Sequence, residues 1–432
     1  MQIEEIYKIY QRYPSVQTDT RKLKTNDLFF ALKGPNFNGN LFAEQALEKG
    51  AAYVFADEIT SFNHERIIYT NNALETLQQL AQFHRQQFNA IPGKESGVPF
   101  IAITGSNGKT TTKELVHAVL STTYKTYTTE GNLNNHIGVP LTILKVKPDA
   151  EMAVIEMGAN HLNEIAGYCE YAMPTHGLIT NIGKAHLEGF GGVENVKKGK
   201  GELFAYLRNT NGTAFVNSDD DAIAALCKNL NNKIFYGASG KNLQGKIIKT
   251  DPFPEIQILG PDSFNIKTRL TGAYNFSNVL AAVCIGRYFK VDDKNIKDAI
   301  ESYTPSNSRS QLIQQKSNTI ILDAYNANPG SMKAAIENFA SMKGDKKILL
   351  LGAMMELGAD SEKEHAALIS LIDKYKWEDV VLVGKNFNNL NHKYIKYDNA
   401  LEVKGWLHNQ HLENAQILIK GSRSMQMEKV LE

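Results

Sequence analysis

The run Thr104-Gly-Ser-Asn-Gly-Lys-Thr-Thr-Thr112 gathers the residue types best suited to chemistry. It follows a short apolar stretch, Phe100-Ile-Ala-Ile-Thr104, and opens a segment of helical spacing from Lys109 to Leu120, so it lies where a strand turns into a helix. Glycines there let the backbone curl until its N–H groups point at phosphate oxygens, while the helix N-terminus adds positive potential. Gly105, Ser106, Asn107 and Gly108 would form the cradle, with Thr111 beside it; Lys109 would reach the β- and γ-phosphates, and the Thr110 hydroxyl would bind Mg2+. Ile103 stands where the full P-loop pattern has a further glycine, so the loop is a shortened variant. A glycine turn can also serve packing alone, but Gly-Lys-Thr-Thr at a helix start favours a nucleotide phosphate. Such a loop fits a kinase, a motor, a GTPase switch or a ligase, so the discriminating residues must lie elsewhere.

Glu156 ends the apolar run Ala153-Val-Ile and falls at the strand edge where α/β proteins bind ligands. A carboxylate there can hold Mg2+, which prefers hard oxygen ligands. The next strand signal, Gly177-Leu-Ile-Thr-Asn181, is followed by Gly183-Lys-Ala-His-Leu-Glu188, which brings His186 to the same rim. A single histidine is as readily a surface or core residue, so its role stays open on spacing alone. Lys197-Lys-Gly-Lys-Gly-Glu202 begins an apparent helix and reads first as a solvated basic face; its three charges could also serve phosphate, and nothing in the run singles one out.

These residues need a scaffold, and 432 residues are enough for two or three domains. Hydrophobic residues make up 42% and charged residues 22%, which excludes disorder and collagen-like repetition. The net charge of +1 gives no overall field for nucleic acid or an anionic membrane. Apolar runs such as Leu280–Ile285 fall far short of the ~20 residues of a spanning helix. Met1-Gln-Ile-Glu-Glu5 does not resemble a secretory leader, and Cys169, Cys227 and Cys284 form neither a disulfide framework nor a zinc pattern, so a cytoplasmic location without membrane insertion is expected. Breaker-rich stretches at Ile91–Pro99 and Tyr303–Ser310 divide the chain into expected domains 1–95, 96–305 and 306–432. Strand and helix signals alternate in the second and third, which predicts an α/β protein with mainly parallel sheets. Between Lys246 and Leu270 the pattern turns antiparallel-like.

Several segments together resemble the ATP-dependent Mur ligases, from Asp19 to Met427. They are Asp19-Thr-Arg21, Ala31-Leu-Lys-Gly34, the phosphate loop, Gly131-Asn-Leu-Asn-Asn135, Glu156-Met-Gly-Ala-Asn160, Ala185-His-Leu-Glu-Gly-Phe190 and Lys200-Gly-Glu202. Gly272-Ala-Tyr-Asn-Phe-Ser-Asn278, Asp323-Ala-Tyr-Asn-Ala-Asn-Pro329, Met355-Glu-Leu-Gly358 and Lys420-Gly-Ser-Arg423 continue the likeness. The resemblance implies a central P-loop domain flanked by a smaller N-terminal α/β domain and a C-terminal Rossmann-like one. It implies that Thr110, Glu156 and His186 bind Mg2+, with Lys200 as a carbamate, and that Lys109, His186 and Lys200 carry the chemistry. Asn275, Asn278, Arg309 and Asp323 would serve ATP. Asp19, Thr20, Arg21 and Gly34 would hold the uridine diphosphate end of a nucleotide substrate, and Asn132, Asn134 and Asn160 its diphosphate and sugar. Asn326, Asn328, Lys420, Ser422 and Arg423 would face the amine substrate. Three departures stand out: His136 replaces a common Glu or Gln, Ala353 a common Asp, and Thr20 a usual Ser.

The Tyr-Asn-Ala-Asn-Pro and Lys-Gly-Ser-Arg segments point within the family to the ligases that add D-alanyl-D-alanine to UDP-N-acetylmuramoyl-tripeptide. The implied reaction forms an acyl phosphate from the tripeptide carboxylate and ATP, and the dipeptide amine then displaces phosphate. Closure about the linker near Pro305 would keep water from the acyl phosphate. No partner beyond these small molecules is implied, and a monomer is expected. The alternatives are a ligase of the same build with a single amino acid as acceptor, and a nucleotide-regulated binding module that catalyses nothing. The intact Lys109, Thr110, Glu156 and His186 argue against the second.

Overall fold

A computed structural model describes residues 1–59, 62, 64–89, 97–305 and 308–432. The first expected linker therefore falls largely outside the described residues, as do residues 306 and 307 of the second.

Phe100–Thr104 forms a strand with every residue buried, as expected where both faces of a parallel sheet are covered. It lies between Met152–Glu156 and His176–Ile179, parallel to both. Thr126–Thr128 forms the edge beyond Met152–Glu156, while Thr213–Asn217, Asn232–Gly237 and Leu243–Lys249 extend the other side in parallel. Glu255–Leu259 and Phe264–Lys267 then add antiparallel, as the change of pattern after Lys246 predicted. The chain leaves Phe100–Thr104 for one side of the sheet and later crosses to the other, so this strand marks the point of reversal where a ligand crevice opens. The strand before Asn181 is shorter than its sequence suggested and ends at Ile179. Thr180 and Asn181 turn their side chains to the phosphate loop instead of continuing the ladder.

Among the described residues two further main sheets flank this one. Val16–Gln17, Leu28–Phe30, Tyr53–Ala56 and Ile67–Tyr69 make an all-parallel N-terminal sheet, in whose core Phe30 stacks on Phe55 at 4.5 Å. Helix Ala73–Gln86 fixes it to the central domain. Arg85 on that helix is buried, lies over the Phe100 ring at 3.9 Å and donates to the carbonyls of Ala172 (3.0 Å) and Met173 (2.9 Å). The C-terminal sheet runs Gln311–Gln315, Asn318–Asp323, Gln416–Lys420, Lys347–Gly352, Asp379–Val383 and Ile395–Tyr397, parallel except for its first pair. Helices Pro329–Ser341, Ser361–Ile372 and Ala400–Asn409 accompany it, giving the expected Rossmann-like layer. The architecture is thus three α/β domains around a mainly parallel central sheet.

Candidate active site

The phosphate loop is shaped by two glycines in conformations that side chains resist. Gly105 has φ 139°, and a Cβ there would lie 2.0 Å from Thr180 Oγ1; Gly108 has φ 79°, and a Cβ there would lie 2.7 Å from Asn278 Oδ1. Asn107 is held between them. Its N–H donates to Asn181 Oδ1 (3.0 Å), and its carbonyl accepts from Thr180 Oγ1 (2.6 Å) and Asn181 Nδ2 (2.9 Å). Ser106 Oγ donates to the Gly183 carbonyl at 3.1 Å. Half-buried Lys109 folds back so that Nζ donates to the carbonyls of Gly105 (2.8 Å) and Ser106 (3.2 Å). Burial lowers its pKa, Arg309 adds to that effect, and Glu156 and Glu356 oppose it.

Behind the loop, Thr112 Oγ1 donates to Asn278 Oδ1 (3.0 Å), Asn278 Nδ2 to Asn275 Oδ1 (2.9 Å), and Asn275 Nδ2 to the Thr271 carbonyl (2.9 Å). The two asparagines proposed for the nucleotide therefore brace the loop from the rear. Thr111 is half-buried in the first turn of the loop helix Lys109–Leu120.

Glu156 is 1% exposed. Its Oε1 accepts from Asn134 Nδ2 at 2.7 Å, whereas Oε2 is buried with no hydrogen-bond partner. A buried anionic oxygen left unpaired is costly, so Oε2 fits a hard cation; Thr110, also buried, is the hydroxyl expected to share it. Among the described residues no group of three or more His, Cys, Asp or Glu side chains gathers as a metal cage. That suits Mg2+, which commonly takes few protein ligands and completes its shell with phosphate and water.

Lys200 corrects the first reading of its segment. The helix starts at Val193, not near Lys197, and Lys200 in its middle is 0% exposed, donating to the Ala159 carbonyl at 2.9 Å. Burial pushes its ammonium pKa well down, the like charge of Lys109 adds to this, and Glu164 and Glu202 oppose it. Lys198, by contrast, is exposed as a basic face would be.

The C-terminal domain reaches this centre directly. Asn328 Nδ2 donates to Asn107 Oδ1 at 2.7 Å, and the Glu188 N–H donates to the Glu356 carbonyl at 3.2 Å. His186 Nδ1 hydrogen-bonds the Glu356 carboxylate. The imidazole holds that carboxyl below the usual range, and Lys109 contributes in the same direction. Arg309 lies over the Tyr325 ring at 3.5 Å with Nε buried and unpartnered, and Arg423 lies 5.9 Å from the same ring. Asp323 pairs with Lys420 Nζ at 2.6 Å across adjacent strands and accepts from the Ser310 N–H at 3.1 Å. Lys420 also donates to the Asn326 carbonyl at 3.1 Å, and Ser422 is buried with its N–H on the Ala353 carbonyl at 3.2 Å.

Thus residues assigned separately to ATP and to the amine substrate form one cluster. Asn134, assigned to a diphosphate and sugar, sits on Glu156; the Asn132 carbonyl accepts from the Asn134 N–H at 2.7 Å, and the Asn160 N–H donates to Glu164 at 2.6 Å. Asp19 and Arg21 pair at 2.8 Å in the N-terminal domain; Thr20 gives its carbonyl to Lys49 at 3.0 Å, and Gly34 lies in an exposed hairpin. Ala353 is fully buried, and a Cβ at Gly384 would lie 3.0 Å from its own Cβ, so an aspartate there would bury a charge in a crowded place. His136 uses its carbonyl to accept from Gln78 at 3.0 Å. Sequence reasoning missed Thr180, Asn181, Tyr325 and Glu356 as parts of the site; the strand-end position of Asn181 was the available clue.

Asp323→Ala would leave the buried Lys420 ammonium without its carboxylate. A loss of about 3–5 kcal/mol of C-terminal domain stability is expected, measurable by denaturant unfolding; Lys420→Met in the same background should restore part of it.

Family models cover most of the chain. The Mur ligase family catalytic domain matches residues 12–95, the Mur ligase middle domain 103–286 and the Mur ligase glutamate ligase domain 308–423. The chain belongs to the Mur ligase family. The UDP-N-acetylmuramoyl-tripeptide–D-alanyl-D-alanine ligase of Bacillus subtilis (strain 168) is 34% identical, the match covering 96% of this chain and 92% of the relative. Crystal structure I of MurF from Acinetobacter baumannii superposes with a TM-score of 0.87 at 29% identity, covering 96% of this chain and 92% of that one. The MurF ligase of Thermotoga maritima in complex with ADP gives 0.84 at 27%, covering 96% of both chains. Among the described residues of this Mur ligase, no helix is long and apolar enough to cross a membrane.

Proposed function

We propose that this Mur ligase joins D-alanyl-D-alanine to UDP-N-acetylmuramoyl-tripeptide at the expense of ATP, in the assembly of peptidoglycan precursors. The end-to-end likeness to relatives bearing that activity in their names carries the reading. A phosphate loop contacted by the amine-side domain through Asn328 supports the chemistry.

A carboxylate is a poor electrophile in water, and phosphorylation remedies this. The tripeptide carboxylate oxygen attacks the γ-phosphorus of ATP; the bond to the bridging oxygen breaks, leaving ADP and an acyl phosphate. The dipeptide amine then attacks the acyl carbon, loses a proton, and expels phosphate as the amide forms. Lys109 opposes the charge on the transferring phosphoryl group, and positioning with electrostatics supplies most of the rate. Thr110, Glu156, His186 and a carbamylated Lys200 would hold Mg2+, which when bound neutralises charge on the phosphates. Asp19, Thr20, Arg21 and Gly34 take the uridine diphosphate end, with Asn132, Asn134 and Asn160 along the diphosphate and sugar. Gly105 to Thr111, Asn275, Asn278, Arg309 and Asp323 serve ATP, and Asn326, Asn328, Lys420, Ser422 and Arg423 the dipeptide.

The same reading divides the chain at 95/96 and 305/306 and places it in the cytoplasm as a monomer. Incubation with ATP, nucleotide tripeptide and D-alanyl-D-alanine should yield the pentapeptide product by mass spectrometry. Oxygen-18 in the tripeptide's terminal carboxylate should appear in the released phosphate; its absence rejects the acyl phosphate. A single amino acid outcompeting the dipeptide would reassign the acceptor.

A further inference from the structure

His186 and Glu356 lie 170 residues apart in sequence, in different domains, yet form a direct hydrogen bond between imidazole Nδ1 and carboxylate Oε2. Both adopt left-handed backbone conformations, with φ 53° and 61°, which non-glycine residues seldom hold without support from their surroundings. That support is visible. The Glu188 N–H donates to the Glu356 carbonyl at 3.2 Å, and Gly358 rests on Glu188, where a Cβ would lie 3.3 Å from the Glu188 Cβ. The two loops thus clasp each other at the rim of the phosphate loop. The Glu356 side chain is 52% exposed, so it is not there to fill a core.

We propose that Glu356 is a positioning residue, which accepts the Nδ1 proton of His186 across the domain boundary and so turns the Nε2 lone pair toward the metal–phosphate centre. A ring nitrogen can act as a ligand only when unprotonated, and the hydrogen bond made by the other nitrogen decides which one that is. Without Glu356 the ring is free to rotate and to carry its proton on Nε2. The carboxylate belongs to the C-terminal domain and the imidazole to the central one, so orientation of the ring depends on their docking. Phosphoryl transfer is thereby tied to the arrangement in which the amine-side domain already covers the loop. The proposal rests on His186 serving Mg2+ as read above.

The test separates the two. In metal-free, 15N-histidine-labelled protein, with the His186 signal assigned by its loss in His186→Gln, the wild type should show the Nδ1–H tautomer. Glu356→Ala should shift the signal toward Nε2–H, whereas Glu356→Gln, whose amide oxygen still accepts, should retain Nδ1–H. Titration of the ATP-loaded protein with Mn2+, followed by electron paramagnetic resonance, should give roughly 10–100-fold weaker binding for Glu356→Ala, with rescue by Glu356→Gln. Turnover should fall with the KM for ATP little changed. An unchanged tautomer in Glu356→Ala, unchanged Mn2+ affinity, or equal damage from both substitutions would each overturn the positioning role. Failure of the wild type to make the pentapeptide would reject the functional reading while leaving the tautomer result standing.

Discussion

Lys109→Ala is expected to lower ligation turnover by roughly 10²–10³-fold, the scale for losing one preorganised donor at a developing charge. The lysine is the cation the loop itself supplies. In the structure its amine rests on the carbonyls of Gly105 and Ser106, within the loop it would serve. A phosphate group entering the cradle would offer a stronger, anionic acceptor, and Nζ need only swing from those carbonyls to meet it. Burial lowers the amine's pKa, which makes the partner it gains more consequential, since a charge poorly solvated by water gains most from a fixed anion. Lys109→Arg should recover little, because a planar fork is wider than the ammonium the loop encloses. Steady-state ADP release and pentapeptide formation should fall together in both variants. Near-normal ligation by Lys109→Ala would remove the phosphate loop from the mechanism.

The strand-loop-helix unit was legible because its signals are local. An unbroken apolar run fits a strand buried on both faces, two glycines mark the backbone reversal, and helical spacing resumes at Lys109. Lys200 was less well read, though the clue was present. Val196, Gly199, Lys200, Leu203, Phe204 and Leu207 follow one helical stripe, and all are buried, so the lysine occupies a core-facing position in an otherwise apolar series. Reading the charge run as a unit hid this, because the exposed Lys198 and the buried Lys200 belong to opposite faces of the same helix. The cross-domain contacts were not legible at all. Asn107 meets Asn328 over 221 residues of separation, and the pairing depends on how two separately folded sheets dock rather than on any local pattern. The grouping of Asp323 with Lys420 has an intermediate character. Each ends an apolar strand, and once those strands are neighbours in parallel register the two side chains come opposite one another.

Lys200→Ala is expected to cost roughly 10²-fold or more in turnover, with partial recovery in added formate or acetate. Lys200 is unfavourably placed for a cation. A fully buried ammonium whose pKa is pushed down by desolvation and by Lys109 is poorly suited to remain charged. Loss of its proton leaves a neutral amine, the form that adds carbon dioxide: the nitrogen bonds the carbon and releases a proton, giving a carbamate. The lysine's charge thereby reverses, and repulsion from Lys109 becomes attraction. Glu164 and Glu202 would then repel the new anion, so the modified state calls for a further cation, the neutralising charge that Mg2+ would supply. Because protonation of the amine competes with carbon dioxide, activity in degassed buffer should fall more steeply at lower pH and recover with bicarbonate. Protein equilibrated with 13C-bicarbonate should show a carbamate carbonyl resonance that Lys200→Ala lacks. Full activity in the alanine variant, or no such resonance in the wild type, would reject the carbamate and leave Lys200 as a neutral donor to Ala159.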